Sequence, residues 1–328
     1  MSTVLVTGAG GFTGAHLART LAERGHRVRG LVRRTEGTEA LRAAGVEIMV
    51  GDIRDRAVVE RAVSGVSVVQ NVAAVFRRAN VFASEYRAVN AEAPVALIEA
   101  GAAAGVERVV HCSTVGVHGD VKHPPADEDA PLDPGDVYQQ TKLLGEERAR
   151  EAAERTGMAL TIVRPGPIYG PGDTRLLKLF RSVARRRFVM LGSGEIFFQL
   201  TYIDDLVDGM IRAGECPAAV GRTYILAGSD TPTLGAIVRM IAEEAKVPVP
   251  KLRLPTWPFW LAGALCELVC VPFKIEPPIF RRRVAFFTKS RSFDTARARA
   301  EIGYEPKVGA REGIRRTLAW YREQGLLD

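Results

Sequence analysis

The stretch Val4-Leu5-Val6-Thr7-Gly8-Ala9-Gly10-Gly11-Phe12-Thr13-Gly14 constrains this chain more than any other. A short apolar run, residues 4–6, passes straight into a glycine turn, and apolar spacing at Phe12, Leu17 and Leu21 predicts a helix directly after it. Strand, glycine turn and helix in that order make the first crossover of a dinucleotide-binding sheet. Gly8 allows the tight turn, Gly11 lets backbone approach a pyrophosphate, and Gly14 lets helix pack closely on strand. The helix start at Phe12 and Thr13 then faces the phosphates. The spacing G-x-x-G-x-x-G differs from the commoner G-x-G-x-x-G in its middle glycine, so the rest of the chain has to support the reading.

It does so by alternation. Strand-like segments at 27–32, 46–50, 66–71, 108–112 and 160–163 are separated by helical patterns, among them 90–104 and 137–155. Six strands in this rhythm predict a parallel, doubly wound Rossmann-type α/β sheet. Residues 1–171 would form this cofactor-binding domain, and 172–328 a smaller, mostly helical substrate domain with some chain crossing back. In the second part a helix is expected over 233–245, with Thr233 as its N-cap.

What ends each strand indicates the ligand. An acidic residue after the second strand would accept from ribose hydroxyls and mark NAD; this chain has Arg33-Arg34, a pair suited to a 2′-phosphate, so NADP is favoured over NAD. Gly51-Asp52-Ile53 ends the third strand, with Asp52 placed to accept from an adenine amino group. Ala73 and Ala74 follow the fourth, small enough to let backbone run beside the cofactor.

Composition excludes little but usefully. The net charge of +7 comes from 45 Lys+Arg against 38 Asp+Glu, partly in the runs 185–187 and 281–283. Such runs are usually solvated faces, and no aromatic-interleaved basic motif points to nucleic acid. Cys112, Cys216, Cys266 and Cys270 lack ligand spacing, so no metal is expected, and free thiols without a signal peptide suggest a reducing cytoplasm. The segment 257–273 is strongly apolar but short for a membrane span, and carries Glu267 between flanking prolines. A packed helix is the expectation there, over an apolar lid or a peripheral membrane contact.

The chemistry concentrates in Tyr138-Gln139-Gln140-Thr141-Lys142, which sets a phenol and an ammonium one helical turn apart. Tyrosine is a poor base at neutral pH, with an ordinary pKa of about 10. A nearby cation favours the phenolate and draws that value toward working pH. Thr114, at a strand end, can donate to a substrate oxygen.

Together these residues resemble the extended short-chain dehydrogenase/reductases, which include nucleotide-sugar epimerases and dehydratases and 3β-hydroxysteroid-type dehydrogenases. The resemblance covers essentially the whole chain: residues 7–14, Gly51-Asp52, Asn90, Ser113-Thr114 with Val117-His118-Gly119, Tyr138 with Lys142, Arg164-Pro165-Gly166 with Tyr169-Gly170-Pro171-Gly172, and Tyr202-Ile203-Asp204-Asp205. It implies that Tyr138 is the acid/base and that Lys142 binds the nicotinamide ribose and lowers the tyrosine pKa. It gives Thr114 the hydroxyl role, with Ser113 able to share it. Asn90, Pro165 and Ile168 would line the nicotinamide side, and the helices containing Asn90 and Tyr138 would pair in a homodimer. Two departures stand out. Phe197-Phe198-Gln199 replaces an arginine that often meets a sugar-nucleotide diphosphate, and His118 replaces a tyrosine. They lean toward net redox turnover of an apolar secondary alcohol or ketone. The alternatives are a nucleotide-sugar epimerase or dehydratase, with Arg175 and 281–283 holding the diphosphate, and a non-catalytic cofactor-sensing protein.

Overall fold

A computed structural model describes residues 2–76, 81–270 and 281–327. The end of the apolar segment, 271–273, lies outside the described residues, as do the side chains of Glu267, Cys270 and Arg281 to Arg283.

Seven parallel strands form the central sheet: β1 (Thr3–Thr7), β2 (Arg27–Val32), β3 (Glu47–Val50), β4 (Val68–Asn71), β5 (Arg108–Cys112), β6 (Leu160–Pro165) and β7 (Thr223–Leu226). Their order is β7-β6-β5-β4-β1-β2-β3, so the direction of winding reverses between β1 and β4. At such a reversal the two neighbouring connections leave in opposite directions and open a crevice at the carboxyl ends of the strands. The expectation of a doubly wound parallel sheet holds. A seventh strand joins it from the second half of the chain.

Alternate residues of each strand feed different cores because strand side chains alternate faces. Val4, Val6, Val28, Val32 and Val110 pack with helix α1 (Phe12–Glu23) and the long helix Ile203–Glu215. Leu5, Leu31, Val69, Val109 and Ile162 pack on the other face with helices Arg56–Val63, α2 (Ala93–Ala103) and α3 (Val137–Thr156). Both faces are covered, which is why these strands read as nearly continuous apolar runs.

The remaining chain carries two short parallel pairings, Ile168–Tyr169 with Thr201–Tyr202 and Met190–Leu191 with Arg253–Leu254, and further helices. Helix Leu234–Glu244 is capped by Thr233, whose hydroxyl accepts from Ala236 N–H, as its sequence position predicts. Helix Trp257–Cys270 forms, with Trp257, Trp260, Leu261, Leu265 and Leu268 exposed. No helix among the described residues is long and apolar enough to cross a membrane.

Candidate active site

The glycine turn sits at the winding reversal, between β1 and α1. Gly8 has φ +67°, and a Cβ there would lie 2.9 Å from Ala73 Cα, so the β4 loop and this turn touch backbone to backbone. Gly11 donates to Gly8 O at 2.9 Å and caps α1 without any side-chain acceptor. A Cβ at Gly14 would collide with the Gly8 carbonyl. The first turn of α1 holds no acidic residue, which leaves the N–H groups of Phe12, Thr13 and Gly14 as donors for an anion. Side chains would fill this cradle, so its glycines fit a dinucleotide pyrophosphate. Ala74 is exposed just beyond it.

On the adenosine side Arg33 and Arg34 are exposed after β2. Asp52 accepts from Arg54 N at 2.9 Å and from its Nε and Nη2 at 2.9 and 2.5 Å. Arg54, with a smaller contribution from Arg33, holds the Asp52 carboxyl below its ordinary range. The Arg54 and Arg33 guanidinium groups therefore act on one carboxylate here, with Arg34 next to Arg33 in the chain. Ile53 is buried in the core beneath them.

Asp136 caps α3 by accepting from Gln139 N, which fixes where the helix starts and thus where Tyr138 stands. Tyr138 is half-buried and meets Phe76 edge to face, centroids 4.9 Å apart. One turn on, Lys142 is buried. Burial lowers its pKa, opposed by Cys112 and Glu146. Thr114 Oγ1 accepts from Gly116 N at 3.0 Å, so its own proton remains available to donate. Ser113 Oγ, next to Thr114 after β5, is buried without a hydrogen-bond partner among the described residues.

Asn90 lies in a π-helical turn, Ala88–Glu92, and is wholly buried. Its Oδ1 accepts from Val75 N at 2.9 Å, while Nδ2 donates to Val75 O and Thr141 Oγ1 at 3.1 Å each. Asn90 thus secures the loop after β4 and ties it to α3. Pro165 ends β6, and Ile168 O accepts from Arg175 Nη2 at 3.1 Å. Arg175 is also bonded to Asp173 at 2.6 Å, with its guanidinium over the rings of Phe12 and Phe76. Phe198 is core, not crevice, and Gln199 is committed to Gly228 O and Phe293 N at 2.7 Å each. Arg164 forms a buried ion pair with Glu146 at 2.7 Å and meets His118 Nε2 at 3.2 Å, bracing α3 from below.

Sequence reasoning missed a row of polar side chains. Thr7 is in register with Asn71, and Asn71 with His111, across β1, β4 and β5. Thr7 Oγ1 donates to Asn71 Oδ1 at 2.8 Å and accepts from Val72 N and Ala73 N. Asn71 Nδ2 lies 3.0 Å from His111 Nδ1, and His111 Nε2 lies 3.5 Å from Lys142 Nζ. The signal was there in each strand: a polar residue at or near the carboxyl end, Thr7, Asn71 and His111, after an apolar pair or triplet. Arg54 was missed as well, although it stands two residues after Asp52.

Among the described residues no cluster could hold a metal ion. The model of the NAD dependent epimerase/dehydratase family matches residues 4–227. The chain is 30% identical to Sterol demethylase protein B of Methylococcus capsulatus, over 99% of this chain and 100% of that one. It is also 30% identical to the 3 beta-hydroxysteroid dehydrogenase/Delta 5-->4-isomerase of Mycobacterium tuberculosis, over 98% and 90%. Among solved structures, gox2253 superposes with a TM-score of 0.86 at 30% identity, covering both chains fully. UDP-glucuronic acid 4-epimerase from Bacillus cereus, in complex with NAD, gives 0.80 at 21% identity over 99% and 98%, a likeness of fold. With its reversal-point cradle and this match across two thirds of its length, the chain belongs to the NAD-dependent epimerase/dehydratase family and is an enzyme.

Proposed function

We propose that this enzyme interconverts an apolar secondary alcohol and its ketone with net redox turnover, using NADP in preference to NAD. One arrangement supports the reading: Tyr138 and Lys142 stand one turn apart at the start of α3, Thr114 follows the carboxyl end of β5, and the glycine turn follows the carboxyl end of β1. The cradle N–H groups would hold the pyrophosphate, and Lys142 the nicotinamide ribose. When bound, the nicotinamide supplies the hydride acceptor or donor. In the oxidising direction Tyr138 takes the substrate hydroxyl proton, and the Lys142 ammonium stabilises the phenolate that does so. Thr114, its acceptor lone pair engaged by Gly116 N–H, donates to the substrate oxygen and fixes its distance from the phenol.

Three features support an apolar substrate over a sugar nucleotide. Arg175 is neutralised by Asp173 and stacked on phenylalanine rings, Gln199 is buried and bonded to Gly228 O and Phe293 N, and Phe76 packs against the tyrosine. A relative named as a hydroxysteroid dehydrogenase agrees with that choice. The positive balance of Arg33, Arg34 and Arg54 over Asp52 favours the 2′-phosphate of NADP. Pairing of the helices containing Asn90 and Tyr138 in a homodimer, in the cytoplasm, completes the proposal.

The test is Tyr138→Phe, assayed on hydroxysteroids and other apolar secondary alcohols with NADP. Turnover should fall by about 10²–10⁴, the usual size of acid–base catalysis, with cofactor affinity nearly unchanged. Retained turnover would remove the tyrosine from the chemistry. Turnover of a nucleotide sugar without added cofactor would replace net redox with epimerisation.

A further inference from the structure

The row Thr7–Asn71–His111 ends on Lys142, and its donors and acceptors can be assigned in sequence. Thr7 Oγ1 already accepts from two backbone N–H groups, so its single proton goes to Asn71. That assigns oxygen to the Asn71 atom facing Thr7 and leaves the amide nitrogen, a donor, facing His111 Nδ1. His111 Nδ1 must then be an acceptor, which excludes the imidazolium and places the ring proton on Nε2. That N–H looks at Lys142 Nζ, 3.5 Å away, with both groups buried. An ammonium has only donors and cannot accept from it, whereas an amine can.

We propose that His111 is a positioning residue for the reaction: its Nε2–H, fixed by Thr7 and Asn71, opposes the ammonium form of Lys142 and favours the amine. The other groups bearing on Lys142 are Cys112 on β5, and Glu146 one turn along α3, which favours the ammonium but is claimed by Arg164 and approached by Arg150. Burial pushes in the same direction as His111 and keeps the imidazole itself neutral. The inference rests on the reading of Lys142 as the cation supporting Tyr138. On that reading, the phenolate loses its support at a lower pH than an ordinary lysine would impose. The row also ties the lysine to the cofactor cradle, since Thr7 holds Val72 N and Ala73 N, and Ala73 abuts Gly8.

The test is nuclear magnetic resonance on the full chain without cofactor or substrate, with ¹³C at lysine Cε and ¹⁵N in the imidazoles. Lys142, assigned through Lys142→Arg, should titrate at least one pH unit below the exposed lysines, a tenfold difference in proton affinity. His111 should carry its proton on Nε2 only. In His111→Leu the Lys142 midpoint should rise by about one unit. In Asn71→Asp it should rise too, because a carboxylate draws the ring proton to Nδ1 and turns Nε2 into an acceptor. The alkaline limb of the kcat/KM profile should follow both shifts. An ordinary Lys142 midpoint in the unmodified chain, a proton on Nδ1, or an unmoved midpoint in a folded variant would overturn the proposal. If either variant fails to fold, the tautomer and midpoint of the unmodified chain still decide. A lowered Lys142 in a chain that turns over no alcohol would instead overturn the redox reading and leave His111's effect standing.

Discussion

At the scale of single residues, the proposed preference for NADP rests on charge. Arg33 and Arg34 follow β2 where an acid would repel a 2′-phosphate, and Arg54 adds a third guanidinium that Asp52 half cancels. Replacing Arg33 and Arg34 with Ser should weaken NADP binding by about 10- to 100-fold, at roughly one charge-assisted bond of 1.5–3 kcal/mol each way, and spare NAD. Titration calorimetry with both cofactors checks this, and equal losses would refute the phosphate assignment. The placement of Tyr138 one turn from Lys142, and of three glycines in the first turn, was legible because their spacing is local: four residues make a helical turn, and a turn needs its glycines in order. Asn71 and His111 were not, because they meet only through strand register. Forty positions separate them in the chain, and nothing local records that β4 and β5 pair side by side.

Elements show the same divide. β2 and β5 were predicted to the residue, since each closes on polar residues, Arg33-Arg34 and Ser113-Thr114, and follows a glycine that ends the helix before it. The helix around Asn90 was predicted as regular from residue 90, yet it starts earlier, at Ala83–Arg87, and passes through a π turn that holds Asn90 toward Val75. A widened turn leaves no trace in apolar periodicity. Gly145 explains how α3 can approach that turn, because a Cβ there would strike the Asn90 carbonyl. Gly145→Ala should therefore destabilise by about 1–3 kcal/mol through overpacking. Relief of helical glycine alone would give the opposite sign, about 0.5–1 kcal/mol of gain. A denaturant midpoint distinguishes the two.

For the whole molecule, three histidines give the stability curve its acid slope. His16, His111 and His118 all have lowered proton affinity in the folded chain, chiefly through burial, with Arg164 adding to the effect at His118. As pH falls through the ordinary histidine value of about 6.5, the unfolded chain takes up protons that the folded chain refuses. Stability is thus complete above about pH 6.5 and declines below it, by up to 1.4 kcal/mol per unit for each such histidine. Glu128 and Asp205, buried carboxyls with raised values, counter this only at lower pH, where they bind protons first in the folded state. Thermal melting from pH 7.5 to 5.5 should show a falling Tm, shallower in His111→Leu. A flat profile would mean these rings are accessible to protons in the native state.

A strand at 224–226 and some chain crossing back were both readable in the sequence; where that strand pairs was not, because a short apolar run carries no record of its neighbour in the sheet. β7 lies against β6 through Thr223↔Ile162 to Leu226↔Pro165, and helix Ile203–Glu215 covers the sheet face below. A chain emerging from the ribosome therefore cannot close its sheet when its first 171 residues are out. Until residue 226 follows, β6 is an outer strand with bare backbone, open to pairing with any neighbour it meets. The second half of the chain thus completes the sheet that the first half begins.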